Sequence, residues 1–474
     1  MLSKDVCLYN GRVSSSARFY SAQDLLELQT LQMYLISKIS LALTALLAGQ
    51  AIASPILATP GDANDIVITK DDTVNGTTLE APRLRYTNTA STGTLQLSLV
   101  NNLPSSNVNA YVTGLDVNGV LVMLSPSGSW YYPSSTGSQV PVEITANVAI
   151  RLGAQGSTTN ITLPGYISSA RVYFANGQLK FYTVQAANGQ TAIVQPSAVN
   201  PSDPSANIDW GFVELTWTAQ GGLYANISYV DFVGLPLGMS LINTAGAVNT
   251  AQGVDINSIE DICEALDAQT CVDNQPWNEL CVTDSSGYAL RVLSPFQYQS
   301  INNTAFSTYW TSYINSVWSY YTTNTLTIDT QAAAGKVACT VSPSTNLLTC
   351  AGDNRGYAQP TAADIYGCNS GPFAIMGGDN AVHYAVVPRL CAAFHRSTFL
   401  VNGGNVQPSL GANSFYTQSP TNYYSKFVHE HEIDGRGYAF PYDDVTASGA
   451  GDSSGLLADP NPAVLKVVVG GPGY

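Results

Sequence analysis

Between about residue 82 and residue 247 the apolar side chains recur at every second position, and that period decides what the chain can fold into. Leu95, Leu97 and Leu99 alternate with Gln96 and Ser98, which makes one face of an extended strand apolar and the other polar. Two Asn-Gly pairs, Asn118-Gly119 and Asn176-Gly177, each sit between β-rich runs. They predict tight hairpins, because both residues accept the left-handed backbone such turns need. Many short strands with regular turns imply a sandwich or a flattened barrel.

From about 248 the period changes. Ile259 to Ala268 reads as helix, and Phe306, Trp310, Tyr313, Ile314, Val317 and Tyr321 recur at three- and four-residue steps. That spacing puts them on one helix face, which is core rather than a ligand platform. Strand-like and loop segments return from about 335. The expectation is a mainly β protein: a β-sandwich or barrel domain over 82–247 and a mixed α/β, disulfide-containing domain over 248–435. No internal repeat is visible.

Seven cysteines follow residue 260: Cys263, Cys271, Cys281, Cys339, Cys350, Cys368 and Cys391; the eighth is Cys7. Cys339 and Cys350 flank a short polar turn and predict a disulfide, with Cys368–Cys391 as a second pair. The odd count after Cys7 predicts one free or intermolecular thiol. Met33 to Ala53 has the layout of a secretory signal: Lys38, an apolar run from Ile39 to Ala48, and small residues at Ala51-Ile52-Ala53. Residues 1–32 before it are expected to be a gene-model extension, and 54–81 a loose arm. A secreted, extracellular protein is therefore expected, with cell-wall association as one option. The sequons at Asn75, Asn160, Asn226 and Asn302 fit a glycosylated surface. The net charge of -15, with only 11% charged residues, argues against nucleic acid or an anionic membrane as partner. A monomer is expected.

The stretch Asp209-Trp-Gly-Phe-Val-Glu-Leu-Thr-Trp217, the Gly221-Gly222 turn and Ile227-Ser-Tyr-Val-Asp-Phe-Val233 read as two strands. In the first, Val213, Leu215 and Trp217 share one face, and Phe212, Glu214, Thr216 and Thr218 the other. A tight hairpin at Gly221-Gly222 predicts Glu214 opposite Tyr229, with Asp231 the diagonal neighbour roughly 7–8 Å away. An inverting glycosidase needs one carboxylic acid for the leaving oxygen and one carboxylate for the water, roughly 6.5–9.5 Å apart. Two acidic residues on a sheet face are more often plain solvated charges. Thr216, Tyr229 and Trp210 are the company that favours a sugar site, since they can hydrogen-bond and stack. The same register turns Asn226 away from Asp231. Asp443-Asp444 is either an Asx-capped turn or part of a sugar cleft. His429-Glu-His-Glu432, read as a strand, would put both imidazoles on one face, but no third ligand is evident and no metal is expected. There is no GxSxG, Walker or dinucleotide motif.

Ser169-Ala-Arg-Val-Tyr-Phe-Ala-Asn-Gly-Gln-Leu-Lys-Phe-Tyr182, Phe212-Val-Glu-Leu-Thr216, Val230-Asp-Phe-Val-Gly234 and Gly437-Tyr-Ala-Phe-Pro-Tyr-Asp-Asp-Val445, in that order, resemble glycoside hydrolase family 64. These are laminaripentaose-producing β-1,3-glucanases related in fold to thaumatin-like proteins, and the resemblance covers roughly 82 to 470. It implies a β-sandwich or barrel domain and a mixed α/β domain with a wide acidic groove between them. It implies endo cleavage of β-1,3-glucan with inversion and without cofactor, Glu214 as general acid and Asp231 as general base. It places Asp443 and Asp444 in the groove and returns the chain to the β domain after about 436. The competing expectations are a non-catalytic thaumatin-like protein that binds wall glucan in the same groove, and a structural wall glycoprotein.

Overall fold

The computed structural model describes residues 54–68, 73–74, 93–450 and 454–471. The signal-like segment, residues 1–32 and the sequon at Asn75 lie outside the described residues.

The alternating leucines form the strand Leu95–Asn101, with Leu95, Leu97 and Leu99 fully buried. This strand lies between Pro462–Val469 and Thr158–Leu163 in a five-stranded sheet of order Val248–Ala251, Leu237–Asn243, Pro462–Val469, Leu95–Asn101, Thr158–Leu163. The late strand Pro462–Val469 lies parallel to Leu95–Asn101 and antiparallel to Leu237–Asn243. A larger sheet runs Leu457–Asp459, Gly222–Ile227, Asp209–Thr218, Ile167–Asn176, Val108–Leu115, Leu121–Leu124, Trp130–Tyr131. Inward residues of the two sheets, among them Leu97, Val112, Val172, Leu215, Met239 and Leu465, meet in one apolar cluster. Both sheets thus bury one face in a shared core, as alternation dictates.

Asn118-Gly119 makes the expected hairpin between Val108–Leu115 and Leu121–Leu124, with Gly119 at φ 72°. Asn176-Gly177 does not. The strand Ile167–Asn176 ends there, but its neighbours are Val108–Leu115 and Asp209–Thr218. The chain beyond Gly177 leaves for another sheet, in which Tyr182–Gln185 pairs with Thr191–Val194. An Asn-Gly pair permits reversal; here the core available to the next segment decides against it.

The helices follow their sequence signals. Ser258–Asp273 opens with Glu260 and Asp261 in its first turn, where the helix dipole favours negative charge. It ends on Asn274 in the left-handed conformation at φ 57°. Thr311–Tyr321 buries Tyr313, Ile314, Val317, Trp318 and Tyr321, so the aromatic stripe is core. Phe306 lies before this helix at φ 58° and is buried against Trp277. Ala381–His395 and Tyr423–His431 complete the main helices. The apolar cluster that begins at the leucines continues to Trp310 and Phe394, and Pro55–Tyr474 is one compact unit.

Cys339 and Cys350 face each other across a ladder and are bonded, as are Cys368–Cys391 and Cys263–Cys281. Cys271 is disulfide-bonded too, so the odd thiol expected from the count is not found among the described residues. No helix among those residues is long and apolar enough to cross a membrane.

Candidate active site

One face of the strand Asp209–Thr218 changes character along its length. Trp210 and Phe212 are buried in an aromatic group with Tyr173 and Phe232. Two residues on, Glu214 and Thr216 are only half-buried. The neighbouring strand places Arg171 directly opposite Glu214. Its guanidinium lies 4.3 Å over the Phe212 ring, and its Nη2 stands 3.2 Å from Glu214 Oε1 and 4.0 Å from Asp231 Oδ2. The two carboxylates come from separate segments yet contact one nitrogen. Glu214 Oε1 and Asp231 Oδ2 can therefore be no further apart than the 3.2 and 4.0 Å contacts laid end to end. Their side chains are 35% and 31% exposed, so solvent reaches both. Burial works against the charge of Arg171, but Tyr173, Glu214 and Asp231 more than offset it and hold the guanidinium protonated.

The hairpin register differs from the expected one. Thr218 pairs with Gly222 and Glu214 pairs with Asn226, not with Tyr229. The three-residue offset flips which side chains share the Glu214 face. Gly222 is required here, since a Cβ would fall 2.3 Å from Asp459 O and the backbone stands at φ 71°. Tyr224, about half exposed, and Asn226 now lie on the Glu214 side. Asn226 Nδ2 is 3.5 Å from Glu214 Oε2. A glycan on that sequon would sit on Glu214, contrary to the expectation that it points away. Asp231 does not reach the site by strand alternation. The ladder stops at Ile227, and a bend at Val230-Asp231 turns the carboxylate back before Phe232–Val233.

Two expected sugar contacts are core residues. Trp210 is 2% exposed and Tyr229 5%. Tyr229 accepts the Val254 N–H at 3.1 Å, and its carbonyl accepts the Tyr424 hydroxyl. Asp443 is a third correction. It is fully buried, 2.8 Å from Arg396 Nη2 and 2.9 Å from His429 Nε2, and accepts the Ala439 N–H. A carboxylate so enclosed organises the fold around the late motif and offers no oxygen to a sugar. Asp444 is exposed. Thr216 stays on the open face and accepts from Ser169 N at 3.4 Å.

His429 and His431 lie on the helix Tyr423–His431, not on a strand, so a two-residue step sends them to different sides. His429 turns inward to Asp443 and Glu432. His431 Nδ1 pairs with Asp255 Oδ2 at 3.1 Å. Asp255, Asp261 and His431 bring possible ligand atoms within 4.8 Å of one another, as do Cys368, Cys391 and His395, whose cysteines are bonded to each other.

The sequence profile of glycoside hydrolase family 64, described as Beta-1,3-glucanase, matches residues 93–469. The chain belongs to glycoside hydrolase family 64. It is 27% identical over 379 residues to a glucan endo-1,3-beta-glucosidase of Cellulosimicrobium cellulans, and 28% identical over 387 residues to one of Arthrobacter sp. (strain YCWD3). Each match covers 79% of this chain but only 64% of the relative, so the chain spans less than two thirds of their length. The crystal structure of a laminaripentaose-producing beta-1,3-glucanase in complex with laminaritetraose superposes with a TM-score of 0.68 at 26% identity, covering 79% of this chain and 98% of that one.

The sequence gives no role to Arg171 or Gln297 and marks Asn226 only as a sequon. Gln297 Nε2 donates to Asp231 Oδ1 at 3.0 Å. Arg171 left a trace, as a lone cation among apolar residues in a strand that must bury one face. Gln297 left another, in Ser294-Pro295-Phe296-Gln297, the start signal of a helix.

Proposed function

We propose that this chain is a secreted, inverting endo-β-1,3-glucanase. One observation carries the reading: Glu214 and Asp231 converge from separate segments on an open, polar stretch of an otherwise aromatic sheet face. The named activity of its relatives supports the substrate class. Glu214 donates its proton to the glycosidic oxygen as the C–O bond breaks. Asp231 takes a proton from the water that attacks the anomeric carbon from the opposite face. Each carboxyl then returns to its starting state by exchange with solvent, and no cofactor enters. Thr216, Asn226 and the exposed ring of Tyr224 line the same open face and supply hydrogen bonds and a stacking surface. A thaumatin-like β domain with a wide groove toward the helical part fits this use.

The rival is a glucan-binding protein without turnover. The Arg171–Glu214 contact favours it, because the guanidinium occupies a Glu214 oxygen that would have to reach the glycosidic oxygen. Purified protein incubated with laminarin separates the two, with anomeric configuration followed by NMR. Glu214→Gln and Asp231→Asn should each lower kcat by about 10²–10⁴ while the protein stays folded. Absence of released oligosaccharide from the unaltered protein sinks the hydrolase reading; release with retained configuration sinks inversion alone.

A further inference from the structure

Ser294-Pro295-Phe296-Gln297 begins the short helix Pro295–Gln299 with the Ser-x-x-Gln pattern of a capping box. Its first half is ordinary: Ser294 Oγ accepts the Gln297 N–H at 3.3 Å. Its second half is diverted. In a capping box the glutamine side chain turns back to the N–H of the capping residue. Here the Ser294 N–H donates to the Asp231 carbonyl at 2.9 Å, and Gln297 Nε2 donates to Asp231 Oδ1 at 3.0 Å. Both released groups thus serve one residue. The strand pairing that sets Phe232 opposite Leu293 brings Asp231 beside Ser294. Gln297 is itself buried, at 6% exposure, so its amide is held in place.

We propose that Gln297 is the positioning residue of the Asp231 carboxylate, holding Oδ1 so that Oδ2 faces Arg171 and the open side of the sheet. This rests on the reading of Asp231 as the general base. The groups around Asp231 come from several elements. Arg171 and, across it, Glu214 come from the large sheet. Tyr424 comes from the helix Tyr423–His431, its phenol kept protonated by burial first and by Asp231 next. Gln297 is neutral at every pH, so its N–H remains a donor to the anion throughout. An amide donor favours the ionised carboxylate, and its position fixes which oxygen meets the water. No bond is made or broken at Gln297 itself.

Two near-isosteric variants test this on laminarin: Gln297→Met, which lacks the donor, and Gln297→Glu, which replaces it with an acceptor. Both should lower kcat by about ten- to a hundredfold with KM changed less than about twofold. Both should move the acid limb of the kcat/KM profile to higher pH by about one unit, further for Gln297→Glu. Gln297→Met combined with Asp231→Asn should be no slower than Asp231→Asn alone. An unmoved pH profile in both single variants, or a loss that adds to that of Asp231→Asn, overturns the positioning role. If Asp231→Asn is inactive and the Gln297 variants behave as the parent, the base assignment stands and the Gln297 role falls. If Asp231→Asn retains activity, the base assignment falls and takes the Gln297 role with it.

Discussion

Replacing His429 with glutamine removes the cation from a buried carboxylate cluster, and the consequence depends on pH in a definite direction. His429 Nδ1 stands 2.8 Å from Glu432 Oε2, and Nε2 2.9 Å from Asp443 Oδ2. Burial opposes the imidazolium, but Asp443 and then Glu432 outweigh it and push the His429 pKa up to about 10. A folded-state value above the ordinary one of about 6.5 gives stability that is fully present below that pH and is lost as pH rises through about 10. At about 1.4 kcal/mol per pH unit the interval sets a ceiling of about 5 kcal/mol. The same contacts hold Asp443 below the usual carboxylate range, so they count once. About 3–5 kcal/mol is also what breaking a buried ion pair removes. Glu432 acts in the same sense: burial first pushes its carboxyl up to about 7, so the folded state loses stability as pH rises from about 4.5 through 7. Urea unfolding of the parent and His429→Gln at pH 6, 8 and 10.5 checks the argument. The difference between them should be about 3–5 kcal/mol at pH 6 and shrink to about 1 kcal/mol or less at pH 10.5. A difference that stays constant across that range refutes it.

Four further outcomes are expected. Trp210→Ala should lower stability by about 3–5 kcal/mol, whereas Trp210→Phe should leave KM for laminarin unchanged, because the ring lies in the core and not against the sugar. Tyr224→Ala should raise KM about tenfold with little change in Tm, since one stacking contact is worth about 1 kcal/mol or somewhat more. Replacing both Cys339 and Cys350 with serine should remove about 2–4 kcal/mol and leave kcat unaltered, because that ladder is remote in sequence and sheet from Glu214. After secretory expression, glycopeptide mass spectrometry should find Asn160, which is exposed, occupied and Asn226 bare; full occupancy of Asn226 in an active enzyme contradicts its contact with Glu214.

How far the sequence could be read depended on whether a feature is local. Leucine alternation, the stripe from Tyr313 to Tyr321 and the Cys339–Cys350 turn all rest on side-chain period or short loops, and the structure has each of them. The strand containing Glu214 was legible for the same reason. Its pairing was not. A turn that closes over three residues instead of two reverses the facing of every later side chain, so Tyr229 went to the core and Asn226 came to the carboxylate. The residues around Asp443 fit a capped turn as well as a sugar cleft, the resemblance chose the cleft, and nothing nearby in sequence announces Arg396 as the partner. Arg171 and Gln297 act across 43 and 66 residues, a range at which only the folded sheets decide who meets whom.

The strand Pro462–Val469 fills the middle of the five-stranded sheet, between Leu95–Asn101 and Leu237–Asn243. During translation it leaves the ribosome after every element it must join. Until then those two strands expose open edges to the cytosol or the export machinery, the condition under which β-rich intermediates stick to one another. Assembly of this sheet must therefore wait until Pro462–Val469 has emerged. The nascent chain has a physical reason to stay bound to a holdase, and a deletion that spares Glu214 and Asp231 but removes Pro462–Val469 should yield aggregate instead of a weaker enzyme.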